Sequence, residues 1–266
     1  MLNIESTNFL SNEEIKKVAP SVFTKTAASH VSNAYTHIPT SQVIEDMKKL
    51  GWGVVDAKEV RARKGKGFQK HLVVFRNPEI AIVGKDGDDV FPQILLTNSH
   101  DGKNAFTFTA GMFRMVCENG LVVSTQEFEN VKLRHMGYTF EELQVKIKEM
   151  VERLPLTVES MNKMKQVELD EVKAIEFATK ALSSRFKEEE LTRIKVDAKE
   201  LLKPTRPEDE GKDLWSIFNV IQEKIIEGDF NYMTGSKTRK ARRIKNFNQD
   251  LKVNQDLFEL ALEFAN

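Results

Sequence analysis

ILLTNSHDGKNAFTFTAGMFRMVCENGLVV, residues 94–123, is the stretch whose reading decides the fold. The apolar run Ile94, Leu95 and Leu96 suits a central strand covered on both faces. His100, Asp101 and Gly102 follow as a turn. In the next segment side chains alternate, with Phe106 and Phe108 on one face and Thr107 and Thr109 on the other. After Gly111 the run MFRMVCENG reads as a short helix: Met112, Met115 and Val116 share one side, and Asn119 with Gly120 forms its C-cap. Leu121 begins another strand. The stretch predicts antiparallel strands with one short helix inserted between them, and a core built on Phe106, Phe108, Phe113 and Cys117.

The flanking sequence extends this pattern. Upstream, Ser11 and Glu14 make a capping box and Pro20 stops the helix they open. Val43, Ile44, Met47 and Leu50 lie on one helical face, which Gly51 terminates. From Trp52 the period changes to two. Residues 53–63 and 69–76 read as strands joined by KGKG at 64–67, residues 79–83 as a third strand, and GKDGDD at 84–89 as a turn. Downstream, residues 121–125 and 131–135 are the last strands before helical periodicity takes over at Thr139, which with Glu142 makes a second capping box. Leu143, Ile147, Met150, Val151 and Leu154 mark its stripe, and Pro155 predicts a kink or break. Helical pattern returns over 158–166 and 170–185. KPTRPEDEGK at 203–212 reads as a linker. Asp213 opens a helix closed by Gly228, and a final amphipathic helix covers 248–264. Strands followed by helices predict an α+β fold: an antiparallel sheet with an inserted short helix, then a helical C-terminal half. The expected division is 1–138 and 139–266, with the second part packed on the first.

Composition narrows the function classes. Among 266 residues, 40 are Lys or Arg and 40 are Asp or Glu, so net charge is zero. This argues against binding a polyanion by bulk charge alone, while local segregation of charge still allows binding. The single cysteine, Cys117, permits no intrachain disulfide and suits a reducing compartment. The start MLNIESTNFL has no apolar core of a signal segment, and no apolar run approaches the ~20 residues of a membrane span. A cytoplasmic location with no membrane partner is expected. No glycine-rich nucleotide loop, zinc spacing or HExxH occurs. The expectation is a protein without catalytic residues, metal or cofactor.

Two segments carry concentrated positive charge. Residues 58–71 hold Lys58, Arg61, Arg63, Lys64, Lys66, Lys70 and His71 against Glu59 alone. Cations at a hairpin tip can follow a phosphate backbone, and Phe68 beside them can stack on a base. The bland reading is a solvated tip with lysines guarding a strand edge. Residues 236–246, SKTRKARRIKN, hold Lys237, Arg239, Lys240, Arg242, Arg243 and Lys245 with no acid between them. Read as a basic loop flanked by Tyr232 and Phe247, this segment suits phosphate and single-strand contacts. Pairing with acidic helices at 188–200 or 208–210 is the alternative. His100, Asp101, Cys117 and His135 match no metal spacing, and a lone cysteine among apolar residues is usually a small core side chain. Arg114, between Phe113 and Met115, needs a partner for its guanidinium if buried; a structural pairing or a ligand contact would supply one.

Residues 98–123 with Arg134 and His135, IPT at 38–40, KHLVVFR at 70–76 and NQDLKVNQDLFELALEF at 248–264 together resemble the domain-of-unknown-function 932 (DUF932) family. Its most specific element here is R-x-x-C-x-N-G, formed by Arg114, Cys117, Asn119 and Gly120, which is taken as a structural motif. The resemblance implies an accessory factor of phage or plasmid DNA metabolism in a bacterial host cell. The order helix, basic hairpin, further strands is also similar to ring-forming single-strand annealing proteins, which implies a homo-oligomer. The resulting expectation is a non-catalytic protein that binds nucleic acid, single-stranded DNA in particular, for annealing or protection. A module docking on a host or phage protein is the alternative. A nuclease has the least support, because Asp56, Glu59 and Asp101 form no recognisable carboxylate cluster.

Overall fold

A computed structural model of the chain describes residues 8–32, 35–61, 66–80, 90–114, 120–122, 131–133 and 139–266. They fall into two compact units, Met1–Leu154 and Pro155–Asn266. The architecture is α+β.

In the first unit, helix α1 (Asn12–Val18) starts at the Ser11–Glu14 capping box: Ser11 Oγ accepts from Glu14 N at 3.3 Å, and Glu14 Oε2 accepts from Ser11 N at 2.8 Å. Pro20 ends it in a 3-10 turn. Helix α2 (Thr40–Lys49) buries Val43, Ile44 and Met47 and closes on Gly51, whose φ of 85° is the left-handed conformation that glycine tolerates. Strands β1 (Gly53–Glu59), β2 (His71–Arg76), β3 (Val90–Asn98), β4 (Phe106–Arg114) and β5 (Gly120–Val122) form an antiparallel sheet in chain order, and β6 (Val131–Leu133) also pairs with β4. The strand centres Leu72–Phe75 and Ile94–Leu96 are fully buried, as their unbroken apolar runs require. Phe106 and Phe108 share one face of β4 in an edge-to-face contact at 5.3 Å, while Thr107 meets Thr97 hydroxyl to hydroxyl across the ladder at 2.5 Å.

The expected inserted helix does not begin where its pattern suggested. Met112, Phe113 and Arg114 continue β4. Gly111, Met112 and Phe113 pair with Gln93, Pro92 and Phe91 on one side and with Val122, Leu121 and Gly120 on the other. Two flanking strands thus satisfy the backbone groups that a helix would satisfy internally. Gly120 is the first residue of β5 and not a helix cap. The strand expected over 79–83 is absent at Glu79 and Ile80, which lie in a turn after Asn77; its remainder lies outside the described residues.

Helix α3 (Phe140–Gln166) runs through Pro155 without the expected break. One missing N–H costs it one hydrogen bond; Leu143, Ile147 and Met150 are buried before the proline and Met161 and Met164 after it.

In the second unit, α4 (Glu171–Ala181), α7 (Leu214–Glu227) and α8 (Phe247–Ala265) surround an aromatic core. Trp215 stacks on Phe218 at 5.7 Å, and Phe218 meets Phe258 edge-on at 6.1 Å. Short helices α5 (Glu188–Leu191) and α6 (Ala198–Leu201) flank strand β7 (Ile194–Val196), which pairs with β8 (Asn231–Thr234); β8 in turn pairs with β9 (Lys237–Lys240). This small antiparallel sheet has no counterpart in the helical half expected from periodicity. The expected linker at 203–212 is tied down as well. Arg206 donates to Glu223 Oε1 at 2.5 Å and Oε2 at 2.9 Å and to Asp209 Oδ2 at 3.0 Å. No helix among the described residues is long and apolar enough to cross a membrane.

Candidate nucleic-acid interface

The basic segment 236–246 is a strand followed by an anchored coil, not a loop. Gly235 takes a φ of 61° at the turn between β8 and β9, and a Cβ added there would meet nothing within 4 Å. Every residue of β9 is exposed. Antiparallel register sets which side each cation takes. Lys237 and Arg239 lie opposite Thr234 and Tyr232, on the face that Ile194 and Val196 share; Thr238 and Lys240 lie opposite Met233 and Asn231, on the face that Lys195 shares.

Beyond β9 the backbone is pinned. Ala241 N donates to Phe230 O at 2.9 Å and Ile244 N to Ile226 O at 2.8 Å; both side chains are buried. Arg185 donates to the carbonyls of Ile225 and Arg242, its guanidinium lying over the rings of Phe186 and Phe230 at 5.7 and 5.5 Å. Burial lowers the Arg185 pKa from its ordinary value. With Ala241 and Ile244 turned inward, Arg242, Arg243 and Lys245 turn outward.

Some of these cations are already paired. Lys240 Nζ lies 3.0 Å from Asp229 Oδ1 and Arg243 Nε lies 3.3 Å from Glu227 Oε1. The hydrogen bond from Lys240, assisted by Lys224 at 3.8 Å, holds the Asp229 carboxyl below its ordinary pKa. Lys237, Arg239, Arg242 and Lys245 have no acidic partner among the described residues. Within the chain, the carboxylates this segment meets among the described residues stand at and just beyond the C-terminus of α7, not on the acidic stretches at 188–200 or 208–210; the remaining form of that alternative is pairing with those stretches of another subunit. Tyr232, expected as a stacking group, contacts the ring of Phe186 at 5.7 Å and is half-buried.

The first basic segment is less uniform. Arg63 and Lys64 lie outside the described residues. Arg61 and Lys66 are exposed, and Lys58 is held by Asp56 at 2.9 Å. Lys70 is half-buried, and loss of water lowers its pKa. Phe68 is half-buried, and its carbonyl accepts from His100 N at 3.2 Å.

His71 is no part of an exposed basic patch. It is fully buried, its Nε2 2.8 Å from Thr40 Oγ1 and its Nδ1 3.0 Å from Ser21 Oγ and 3.1 Å from Gln69 O. Thr40 Oγ1 also accepts from Asn98 Nδ2 at 3.0 Å. The Gln69 carbonyl can only accept, so Nδ1 carries the proton and Nε2 accepts from Thr40. Desolvation pushes the His71 pKa down to about 4. His100 sits 5.2 Å from this ring and 4.6 Å from that of His37. Three segments quoted for the family resemblance, at 38–40, 70–76 and from residue 98, therefore meet in one polar network inside the first unit. Their separation along the chain gives no spacing by which sequence could pair them.

His100 and Asp101 behave as a turn: Asp101 Oδ1 accepts from Ser99 Oγ at 2.7 Å and Lys103 N at 3.1 Å. Among the described residues no three His, Cys, Asp or Glu side chains are placed to hold a metal ion. Of the R-x-x-C-x-N-G motif, Arg114 is described as a backbone paired with Val90 and Gly120 as one paired with Phe113, while Cys117 and Asn119 lie outside the described residues.

Comparison with known proteins agrees with the family resemblance. The model of the family described as "Domain of unknown function (DUF932)" matches residues 27–258. The chain is 31% identical over 256 residues to UPF0380 protein YfjQ of Escherichia coli (strain K12), covering 95% of this chain and 90% of that one. It is 30% identical over 255 residues to UPF0380 protein YafZ of the same organism, with the same coverage. No solved structure matches it. The chain belongs to the DUF932 family.

Proposed function

We propose that the protein binds nucleic acid through its phosphate backbone, without a chemical step, using the hairpin β8–β9 and the anchored coil after it. One observation carries the reading: Lys237, Arg239, Arg242 and Lys245 are exposed on an anchored backbone and, among the described residues, have no carboxylate partner. Free, ordered cations on a chain of zero net charge are a local device, suited to displacing counterions from a polyanion. Arg61 and Lys66 supply a second exposed basic site in the first unit. The family resemblance adds the context of an accessory protein of phage or plasmid DNA metabolism. With Tyr232 engaged by Phe186, backbone contact is better supported than base stacking.

Full-length protein titrated against labelled DNA at two salt concentrations tests this. Binding that weakens with salt, by a slope of about −0.7 to −0.9 per phosphate contact, is the expected result. Absence of binding at low salt removes the reading and favours docking on a protein partner.

A further inference from the structure

We infer that the nucleic acid is a duplex and that the outer edge of β9 lies in its major groove; this rests on the function proposed above. The point of departure is register. β9 is an outer strand of the order β7-β8-β9, and its cations divide between the two faces of the sheet: Lys237 and Arg239 on one, Lys240 on the other, where Lys195 of β7 also lies. All four side chains are exposed. The edge is therefore positive on both flanks. A single strand offers one line of phosphates and can follow one flank. A duplex groove offers two walls, one for each flank.

Dimensions select the groove. A sheet with its side chains is about 10 Å thick, the spacing at which sheets stack. The major groove of B-form DNA is about 12 Å wide and admits β structure, whereas the minor groove is about 6 Å wide. Space is open beside the hairpin turn: nothing lies within 4 Å of a Cβ built on Gly235. Ser236 at the turn and Thr238, on the same face as Lys240, add exposed hydroxyls. The Lys240–Asp229 pair is exposed on both sides, at 69% and 54%, and is weak enough for phosphate to displace the carboxylate.

The test is fluorescence anisotropy with the full chain, a labelled mixed-sequence DNA duplex, and each separate strand, at two salt concentrations. The duplex should bind more tightly than either strand. Lys237→Gln with Arg239→Gln, and Lys240→Gln separately, should each weaken duplex binding. Each neutralised contact should reduce the steepness of log affinity against log salt by about 0.9. Separate strands binding as tightly as the duplex, or a loss confined to one flank, would overturn the groove assignment while leaving nucleic-acid binding in place. No binding by any of the three DNAs removes both. Unchanged melting temperatures confirm that the variants, all at exposed positions, remain folded.

Discussion

Gly228 and Arg242 are in backbone contact: a Cβ built on Gly228 would lie 2.7 Å from both the amide nitrogen and the carbonyl oxygen of Arg242. Gly228 also holds a φ of 74°, ending α7 in the left-handed conformation. One glycine thus does two things, terminating a helix and letting the basic coil pass directly over its end. Gly228→Ala meets both costs, backbone strain of roughly 1 to 2 kcal/mol and a clash with main chain that cannot swing aside. A fall in melting temperature of several degrees is expected, with weakened DNA binding because the coil carrying Arg242 and Lys245 is displaced. Unchanged melting would mean that this contact opens without cost.

His71 makes stability depend on pH. Its folded pKa of about 4 lies below the ordinary 6.5 because burial removes water from the charged form. The unfolded chain therefore takes up the proton first. The contribution is complete above pH 6.5, is lost as pH falls toward about 4, and levels off below. At about 1.4 kcal/mol per pH unit, the gap corresponds to roughly 3 kcal/mol. Denaturant unfolding at intervals across that window should show the decline, and His71→Gln should flatten it. A variant with the wild-type slope would show that another group sets the acid limit.

Much of the first unit is legible in the sequence because its signals are local. The Ser11–Glu14 box, the 43/44/47 face and the Phe106/Phe108 alternation each use neighbours a few residues apart, and each is found as read. The continuation of β4 through Met112–Arg114 is not legible, since Met and Phe suit helix and strand alike and the deciding partners are Phe91, Pro92 and Gln93, some twenty residues upstream. Strand β9 is hidden for a similar reason. KTRK has no apolar alternation, and it is a strand because β8 offers it a ladder. The charge of the proposed interface is plain in the composition of 236–246; its division between two faces emerges only from register.

Arg206 ties residues 206–209 to α7 through a fork on Glu223 and a bond to the buried Asp209. Hydrogen bonds between charged groups contribute about 1.5 to 3 kcal/mol, and the planar fork is specific to arginine. Arg206→Ala should destabilise the second unit by about that amount. Arg206→Lys should recover only part of it, keeping the charge while losing the two-point contact. Equal stability of the lysine variant and the native chain would show that charge alone, not geometry, holds the segment. Native-state hydrogen exchange at residues 203–212 reads the same effect locally.

Asp229 borders the proposed interface and should restrain it. Its carboxylate is 3.0 Å from Lys240 and 3.8 Å from Lys224, and the Lys240 hydrogen bond holds its pKa low, so it stays ionised at neutral pH. An approaching phosphate must displace it from Lys240 and also meets its repulsion. Two charges about 4 Å apart in water interact by ~1 kcal/mol, worth roughly fivefold in affinity. Asp229→Asn should therefore bind DNA several-fold more tightly at low salt, and the gain should shrink as salt screens it. The Lys240 pair is exposed on both sides and contributes about 0 to 1 kcal/mol, but Asp229 also faces the buried Lys224 at 3.8 Å, so some loss of stability is expected alongside the gain in binding. Asp229→Glu keeps the charge and should bind as the native chain does. Weaker binding by Asp229→Asn would mean that Lys240 needs its carboxylate to be aimed, placing the pair inside the site as a unit; no change at all would place the bound DNA away from this end of α7.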